Sequence, residues 1–294
     1  MKRSDWRGIE RCVRDLAQHM ASGRFDFDDA DIVLTYLWAC YHDKPIRWAC
    51  QRCNWPVYHR RPIPSESTMS RRMRAARVSA LLDATRRELE EGPEPGFVRA
   101  IDGKILTVAA HSIDPDATFG GPRGRRRGYE LHSVCTLDGR RNAWSVHTLG
   151  VDERVAAIDL IPRVTGAAYI LGDTNYHSNN LCQIAAAHEM QWVAQRRRRG
   201  NGGLGHHPIS NARRRCLDMV EFAVTPFTAE LYETRRSIET MHANLVSCAG
   251  GLNGLPPWIR RIWRVRNWIA AKLVLDAARR DRLRRARHAE SQRA

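Results

Sequence analysis

The stretch YILGDTNYHSNN, residues 169–180, sets a short apolar run against an abrupt polar stop. Tyr169, Ile170 and Leu171 suit a buried strand, in a run too short for a helix. Gly172 permits close backbone approach at the strand's end, and Asp173 stands at the stop with Asn175 and His177 beyond it. Alone, a strand-end Asp caps the following turn. It gains a chemical meaning only if further acids reach the same rim.

Upstream, FVRAIDGKILTVAA (97–110), YELHSVCTL (129–137) and NAWSVHTLGV (142–151) read as strands, and DERVAAIDLIPRV (152–164) as a helix. Downstream, SNNLCQIAAAHE (178–189) reads as a helix capped by Ser178, and QWVAQR (191–196) and FAVTP (222–226) as strands. AELYETRRSIETMHANLVSC (229–248) and PPWIRRIWRVRNWIAAKLVLDAARRDRLRRARHAE (256–290) read as two closing helices. That order predicts an α/β fold, a mixed sheet covered by helices. In the last helix Trp258, Trp263 and Trp268, with Ile262, Ile269 and Leu273, are expected to pack against the sheet.

Before Glu90 to Gly96, whose charge, proline and glycine mark a linker, the pattern is helical. IERCVRDLAQHM (9–20) and ADIVLTYLWACYH (30–42), the latter capped by Asp28 or Asp29, precede IRWACQRCNW (46–55), with Pro45 at its first turn. Ser65 caps a fourth helix, ESTMSRRMRAARVSALLDATRRELEE (66–91). Short helices ending in an Arg-studded one resemble a helix-turn-helix DNA reader, with Arg71 and Arg72 toward DNA. A solvated basic surface fits the same residues equally. The expected organisation is a small helical domain over 1–92, a catalytic α/β domain over 97–278 and a basic tail over 279–294.

The 294 residues are 43% hydrophobic and 7% aromatic, enough for one large core or two unequal ones. The net charge is +16, and nearly all basic residues are Arg, with Lys only at 2, 44, 104 and 272. That balance points to a polyanionic partner, nucleic acid first, gripped by forked guanidinium contacts. The longest apolar stretch, around Ile32 to Tyr41, is too short to cross a bilayer, and MKRSDWRG has no signal-peptide apolar region. An intracellular protein without membrane contact is expected. Eight irregularly spaced cysteines read as reduced thiols in or near cores. Only Cys50 and Cys53 form a CxxC, with no second pair to complete a zinc site.

Asp102, in AIDGK (100–104), lies on the first strand, which helical crossovers can make a neighbour of the strand ending at Asp173. Glu239, in RRSIETMH (235–242), sits beside a buried helical stripe, with Arg235 four residues earlier on its face. Three converging carboxylates repel unless a cation neutralises them, and hard oxygen ligands suit Mg²⁺ or Mn²⁺. Two such ions roughly 4 Å apart activate an attacking oxygen and stabilise the leaving oxygen in phosphodiester displacement. Singly, each acid suits a cap or an ion pair; together, in this order on these elements, they suit a metal site.

The same residues carry a resemblance. The chain resembles the DDE transposases of bacterial insertion sequences, of the insertion-sequence-four type, whose catalytic domain has a ribonuclease-H-like fold. The signature of that family reads Tyr, two residues, Arg, three residues, Glu, six residues, Lys. Tyr232, Arg235 and Glu239 fit this spacing, whereas Val246 stands at the final basic position. AIDGK and GDTNY (172–176) are similar to the blocks around the two Asp residues, and GYELH (128–132) to a strand that follows the first. The likeness covers most of 97–275. Thr174 and Glu130 depart from it, standing where basic residues are common. With Val246 in place of Lys, the contact to the element's end is expected to be absent or supplied by Arg260, Arg261 or Lys272.

The resemblance implies a transposase of the bacterial cytoplasm, associated with the nucleoid. Asp102, Asp173 and Glu239 would hold two Mg²⁺ (or Mn²⁺) ions; water would attack the phosphodiester at the element's end, and the freed 3′ hydroxyl would attack target DNA. Double-stranded DNA, as terminal repeats and target, is the implied partner, with a homodimer joining two ends. Tyr232 and Arg235 would contact DNA near the scissile phosphate; packing and an ion pair are the structural alternative. Arg125, Arg126 and Arg127 in GGPRGRRRG (120–128), and Arg196, Arg197 and Arg198 in QRRRRGNGG (195–203), are loop candidates for phosphate contact. A DNA-binding regulator, a structure-specific nuclease of the same fold and an inactive transposase copy are the competing readings.

Overall fold

A computed structural model describes residues 3–20, 26–57, 59, 61–93, 95–121, 124–197, 209–247, 251–252 and 254–291. Arg198, named above, and Cys248, the last residue of the expected helix over 229–248, lie outside them. The first elements are α1 (Arg3–His19), α2 (Asp29–Tyr41), α3 (Ile46–Ala49), α4 (Glu66–Arg72) and α5 (Ala76–Glu90). Then come β1 (Val98–Thr107), β2 (Thr118–Gly120), β3 (Arg126–Thr136), β4 (Arg141–Thr148), α6 (Glu153–Leu160), β5 (Tyr169–Gly172), α7 (Asn179–Ala187) and β6 (Gln191–Ala194). The rest is helical: α8 (Asn211–Leu217), α9 (Pro226–Glu233), α10 (Ser237–Ser247) and α11 (Ile262–Ser291). Contacts divide the chain into two compact units, 1–91 with 244–294, and 92–243. Among the described residues, no helix is long and apolar enough to cross a membrane.

The first unit is helical. Asp28 caps α2 by accepting from the Asp31 N–H at 2.6 Å, and Ser65 caps α4 through the Thr68 N–H, as expected. The long helix expected over 66–91 is instead two, because Ala75 adopts extended backbone between α4 and α5. No Gly or Pro marks that break in the sequence. The third helix is shorter than expected: α3 ends at Ala49, and Cys53 is exposed in a 3₁₀ turn.

Helix α11 belongs to this unit, which corrects the expected domain limit at 278 and the packing of its tryptophans on the sheet. Buried residues run nearly all round it, from Val265 through Trp268, Ile269, Leu273 and Val274 to Ala278. Its polar ties also lead to α2, α4 and α5: Asn267 donates to the Met73 carbonyl at 2.9 Å, and Arg280 to Glu90 at 2.5 Å. Periodicity identifies such a helix as a core element without naming which neighbour it packs against. Lys272, offered above as a replacement cation for DNA, is 1% exposed and donates to the Cys40 carbonyl and the Asp43 carboxylate. It has no reach to a ligand.

Arg72 is corrected in the same way. It is 5% exposed, and its guanidinium donates to the Phe27 carbonyl at 2.9 Å and to Asp29 at 2.6 Å. It locks α4 to the start of α2, while Arg71 stays exposed.

The second unit is the mixed sheet with helices on its faces. Strand β1 pairs antiparallel with β3 on one side and parallel with β5 on the other; β6 continues parallel to β5, and β4 and β2 pair antiparallel with β3. On one face Val98, Ala100, Leu171 and Val193 meet Leu231, Ile238 and Met241 of α9 and α10. On the other, Ile101, Val134, Ile170 and Trp192 meet residues of α6, α7 and α8 such as Leu160, Leu181 and Cys216. Both faces of the central strands are therefore covered. The expected strand FAVTP is absent: a Ser210-capped α8 runs on into a π-helical turn, Asp218–Phe222, and the Thr225 capping box starts α9. Phe222 and Val224, which suggested a buried strand, are each about half exposed.

Arg72→Ala strips one partner from a buried carboxylate that retains Arg77 at 2.9 Å. We expect it to lower unfolding stability by about 2–4 kcal/mol in urea titrations, and Arg71→Ala to change it by less than about 0.5 kcal/mol. Equal, small effects would return Arg72 to the surface.

Candidate metal centre

The register of β1 on β5 pairs Val98 with Tyr169, Arg99 with Ile170 and Ala100 with Leu171, a constant offset of 71. Asp102 and Asp173 differ by the same 71, so the two acids stand level where the pair of strands ends. Asp102 is opposite Ser133 of β3, on the face covered by α10. Its Oδ1 accepts from the Gly103 N–H at 2.9 Å. Asp173 ends β5 and caps the next turn through the Asn175 N–H at 2.8 Å, so the ordinary capping role is present too.

Glu239 lies in the first turn of α10, and its carboxyl pairs with Arg235 at 3.4 Å; the Glu239 side chain is 62% exposed, so the pair is weak. Tyr232 donates its hydroxyl to the Gly172 carbonyl at 3.1 Å, tying α9 to the residue before Asp173, and Arg235 stands 6.0 Å over its ring. The single helix expected over 229–248 is interrupted by a 3₁₀ turn at Thr234–Arg236, which lies between Tyr232 and Glu239.

The electrostatics join the three acids. Burial pushes the Asp102 carboxyl up to about 6; the Gly103 N–H opposes this, Asp173 and Glu239 add to it, and Arg235 counters. Both other expected acids thus act on Asp102. Among the described residues, however, no three His, Cys, Asp or Glu side chains are drawn together as a finished ligand set. Carboxylates with no cation between them repel, and a divalent ion would have to draw them in. The donors themselves, oxygen-rich and hard, fit Mg²⁺ or Mn²⁺.

Two further acids were not anticipated. Glu153, the first residue of α6, receives the Asn175 side-chain N–H at 3.4 Å. Burial and then Asp173 and Asp102 push it up to about 7. Glu130, noted above only as a departure, is 6% exposed and is raised to about 7 by burial, Glu153, Asp102 and Asp173. Gly103 makes room for it: a Cβ there would fall 2.5 Å from Glu130 Oε1. Behind Glu130 stands His132, held neutral by burial, with its Nδ1 3.1 Å from the Tyr176 hydroxyl and its Nε2 3.7 Å from Glu130. His242 also went unforeseen; it is buried, contacts Ser133 Oγ at 3.2 Å and lies 3.8 Å from Asp102.

The expected DNA contacts separate. Arg125 and Arg126 are exposed. Arg127 is corrected: it donates to the carbonyls of Ser112, Asp114 and Ala117 and clamps the loop before β2. Arg196 is also corrected: its Nε and Nη2 donate to Glu221 at 2.6 and 2.7 Å. Arg197 donates to Asn175 at 3.0 Å, close beside Asp173.

Because Glu153 titrates near 7 when folded and near 4.5 otherwise, folding favours its protonated form; its contribution to stability is present below pH 4.5 and lost as pH rises through 7. Glu153→Gln should therefore match the parent's melting temperature near pH 4 and exceed it at pH 8. A pH-independent difference would detach Glu153 from Asp102 and Asp173. Set against known proteins, the chain matches no family model and no curated sequence.

Proposed function

We propose that the protein is a transposase of the DDE type, cutting DNA at the ends of a mobile element and joining them to a target. The observation that supports this most directly is the level placement of Asp102 on β1 and Asp173 just past the end of β5, with Glu239 acting on the Asp102 carboxyl. The mixed sheet between helical layers agrees with a ribonuclease-H-like reading of the fold.

Asp102, Asp173 and Glu239 are the residues that would hold two divalent cations, with Glu153 close enough in charge to share the load. Bound Mg²⁺ or Mn²⁺ would supply activation of the attacking oxygen and charge stabilisation of the leaving one. The chain's own residues do the rest. Tyr232 fixes α9 against the end of β5, so Arg235 is carried at a set distance from the rim and can meet a phosphate. Arg197 and Asn175 flank Asp173 and can orient the strand that is cut. The backbone N–H of Gly103 holds one Asp102 oxygen, and the other lies 3.8 Å from His242. Arg125, Arg126 and Arg71 offer exposed charge for the flanking duplex, which a homodimer would engage at both ends.

With DNA carrying the element's own ends, Mg²⁺- or Mn²⁺-dependent nicking and transfer into a target plasmid are expected. Metal ligation supplies several kcal/mol of transition-state stabilisation, so Asp102→Asn, Asp173→Asn and Glu239→Gln should each slow nicking by at least about 100-fold. Binding in a gel-shift assay should stay equal or tighten, since a negative charge facing phosphate is removed. Nicking without strand transfer would favour a nuclease, and binding with no metal-dependent cleavage in the parent a regulator. Undiminished nicking by Asp102→Asn would end this reading.

A further inference from the structure

The helical unit contains a cavity of about 160 Å³ that nothing in the metal-centre reading uses. Its walls are aromatic and apolar: Tyr36 of α2, Met73, Ile259, and Trp263 and Trp268 of α11, with the partly exposed Trp258 at its edge. Its lining also includes Lys44, Arg47 and Arg264, against a single acid, Glu66. Lys44 and Arg47 are exposed. Trp263 is flanked by two guanidinium groups, Arg74 at 5.3 Å and Arg264 at 5.1 Å from its ring.

Three features restrict the occupant. The volume suits a single planar aromatic group and little more, since a cavity of about 150 Å³ admits benzene. Three cations to one acid disfavour a cationic guest, which would otherwise suit aromatic walls. An uncharged apolar guest would leave those cations without a role. A planar ring carrying an anionic group satisfies walls and cations together.

We propose that this cavity receives one unpaired nucleotide of a DNA strand, its base stacked against Trp258 and Trp263 and its phosphate held by Lys44, Arg47 and Arg264. Glu66 and Ser70 of α4 line the same cavity, and Arg71 of that helix is exposed. A duplex gripped along α4 would thus hold an extruded or terminal nucleotide within reach. The inference is independent of the metal centre: a regulator or a nuclease would keep the cavity as readily as a transposase.

The test uses the full chain and three labelled probes: a single-stranded oligonucleotide, an intact duplex, and the same duplex with one unpaired 2-aminopurine. Binding should change the 2-aminopurine emission, as stacking does. Base stacking on an aromatic side chain is worth about tenfold or more in affinity, so Trp258→Ala should weaken the single-stranded and unpaired probes by about that factor while leaving the intact duplex within about twofold. Arg47→Gln, a change at an exposed position, should act in the same direction, and circular dichroism should show both variants folded. Free deoxyadenosine monophosphate should compete with the single-stranded probe, and ribose 5-phosphate should not. Equal weakening on all three probes would reduce these residues to general phosphate contacts. No change on any probe, or competition by ribose phosphate as strong as by the nucleotide, would overturn the proposal.

Discussion

Strand β1 is hydrogen-bonded on both sides, and the position of Asp102 follows from that. Antiparallel pairing to β3 sets it opposite Ser133, while parallel pairing to β5 sets it level with Asp173. A slip of one residue in either ladder would turn every β1 side chain to the other face, bringing Ala100 out of one core and Ile101 out of the other. Burial on both faces therefore fixes the register, and the register fixes the carboxylate pair. The site's geometry is a by-product of packing apolar residues that touch no ligand.

That placement has an electrostatic cost. Asp102, Glu130 and Glu153 all titrate well above ordinary carboxylates, and each is raised first by burial and then by neighbouring acids. Near neutral pH such a cluster relieves repulsion by taking up protons. Any cation that binds there must displace them, so affinity would rise with pH. His132 and His242, both kept neutral by burial, add no positive charge to offset the acids.

Much of the sheet was legible because β1, β3, β4, β5 and β6 are apolar runs bounded by glycine or polar stops, where period and length agree. Asp102, Asp173 and Glu239 were legible because each punctuates such a run or stripe. Glu130 and Glu153 were not, since their relation to Asp102 depends on the β1 to β3 register and on where α6 begins, neither of which one strand's pattern reveals. The same limit hid α11's partner. Its apolar surface is so broad that any core would satisfy it, and only the three-dimensional fit of Lys272 to Cys40 and of Arg280 to Glu90 selects the helical unit. FAVTP misled because β-branched and aromatic residues at half exposure look, in sequence, like the same residues buried.

The arginines show why composition does not identify contacts. Arg99, 1% exposed, gathers the carbonyls of Gly96, Val98, Thr165 and Gly166, and Arg127 gathers three more. These residues serve as structural clamps, and they count toward the net charge of +16 as fully as an exposed arginine does. A polyanion would be drawn by the whole set and touched by few of its members. The acidic rim where the pairing of β1 with β5 ends has the opposite sign. A phosphate brought in by the general field would meet repulsion at that one place unless cations intervene, and this contrast of sign couples the basic surface to the carboxylate centre.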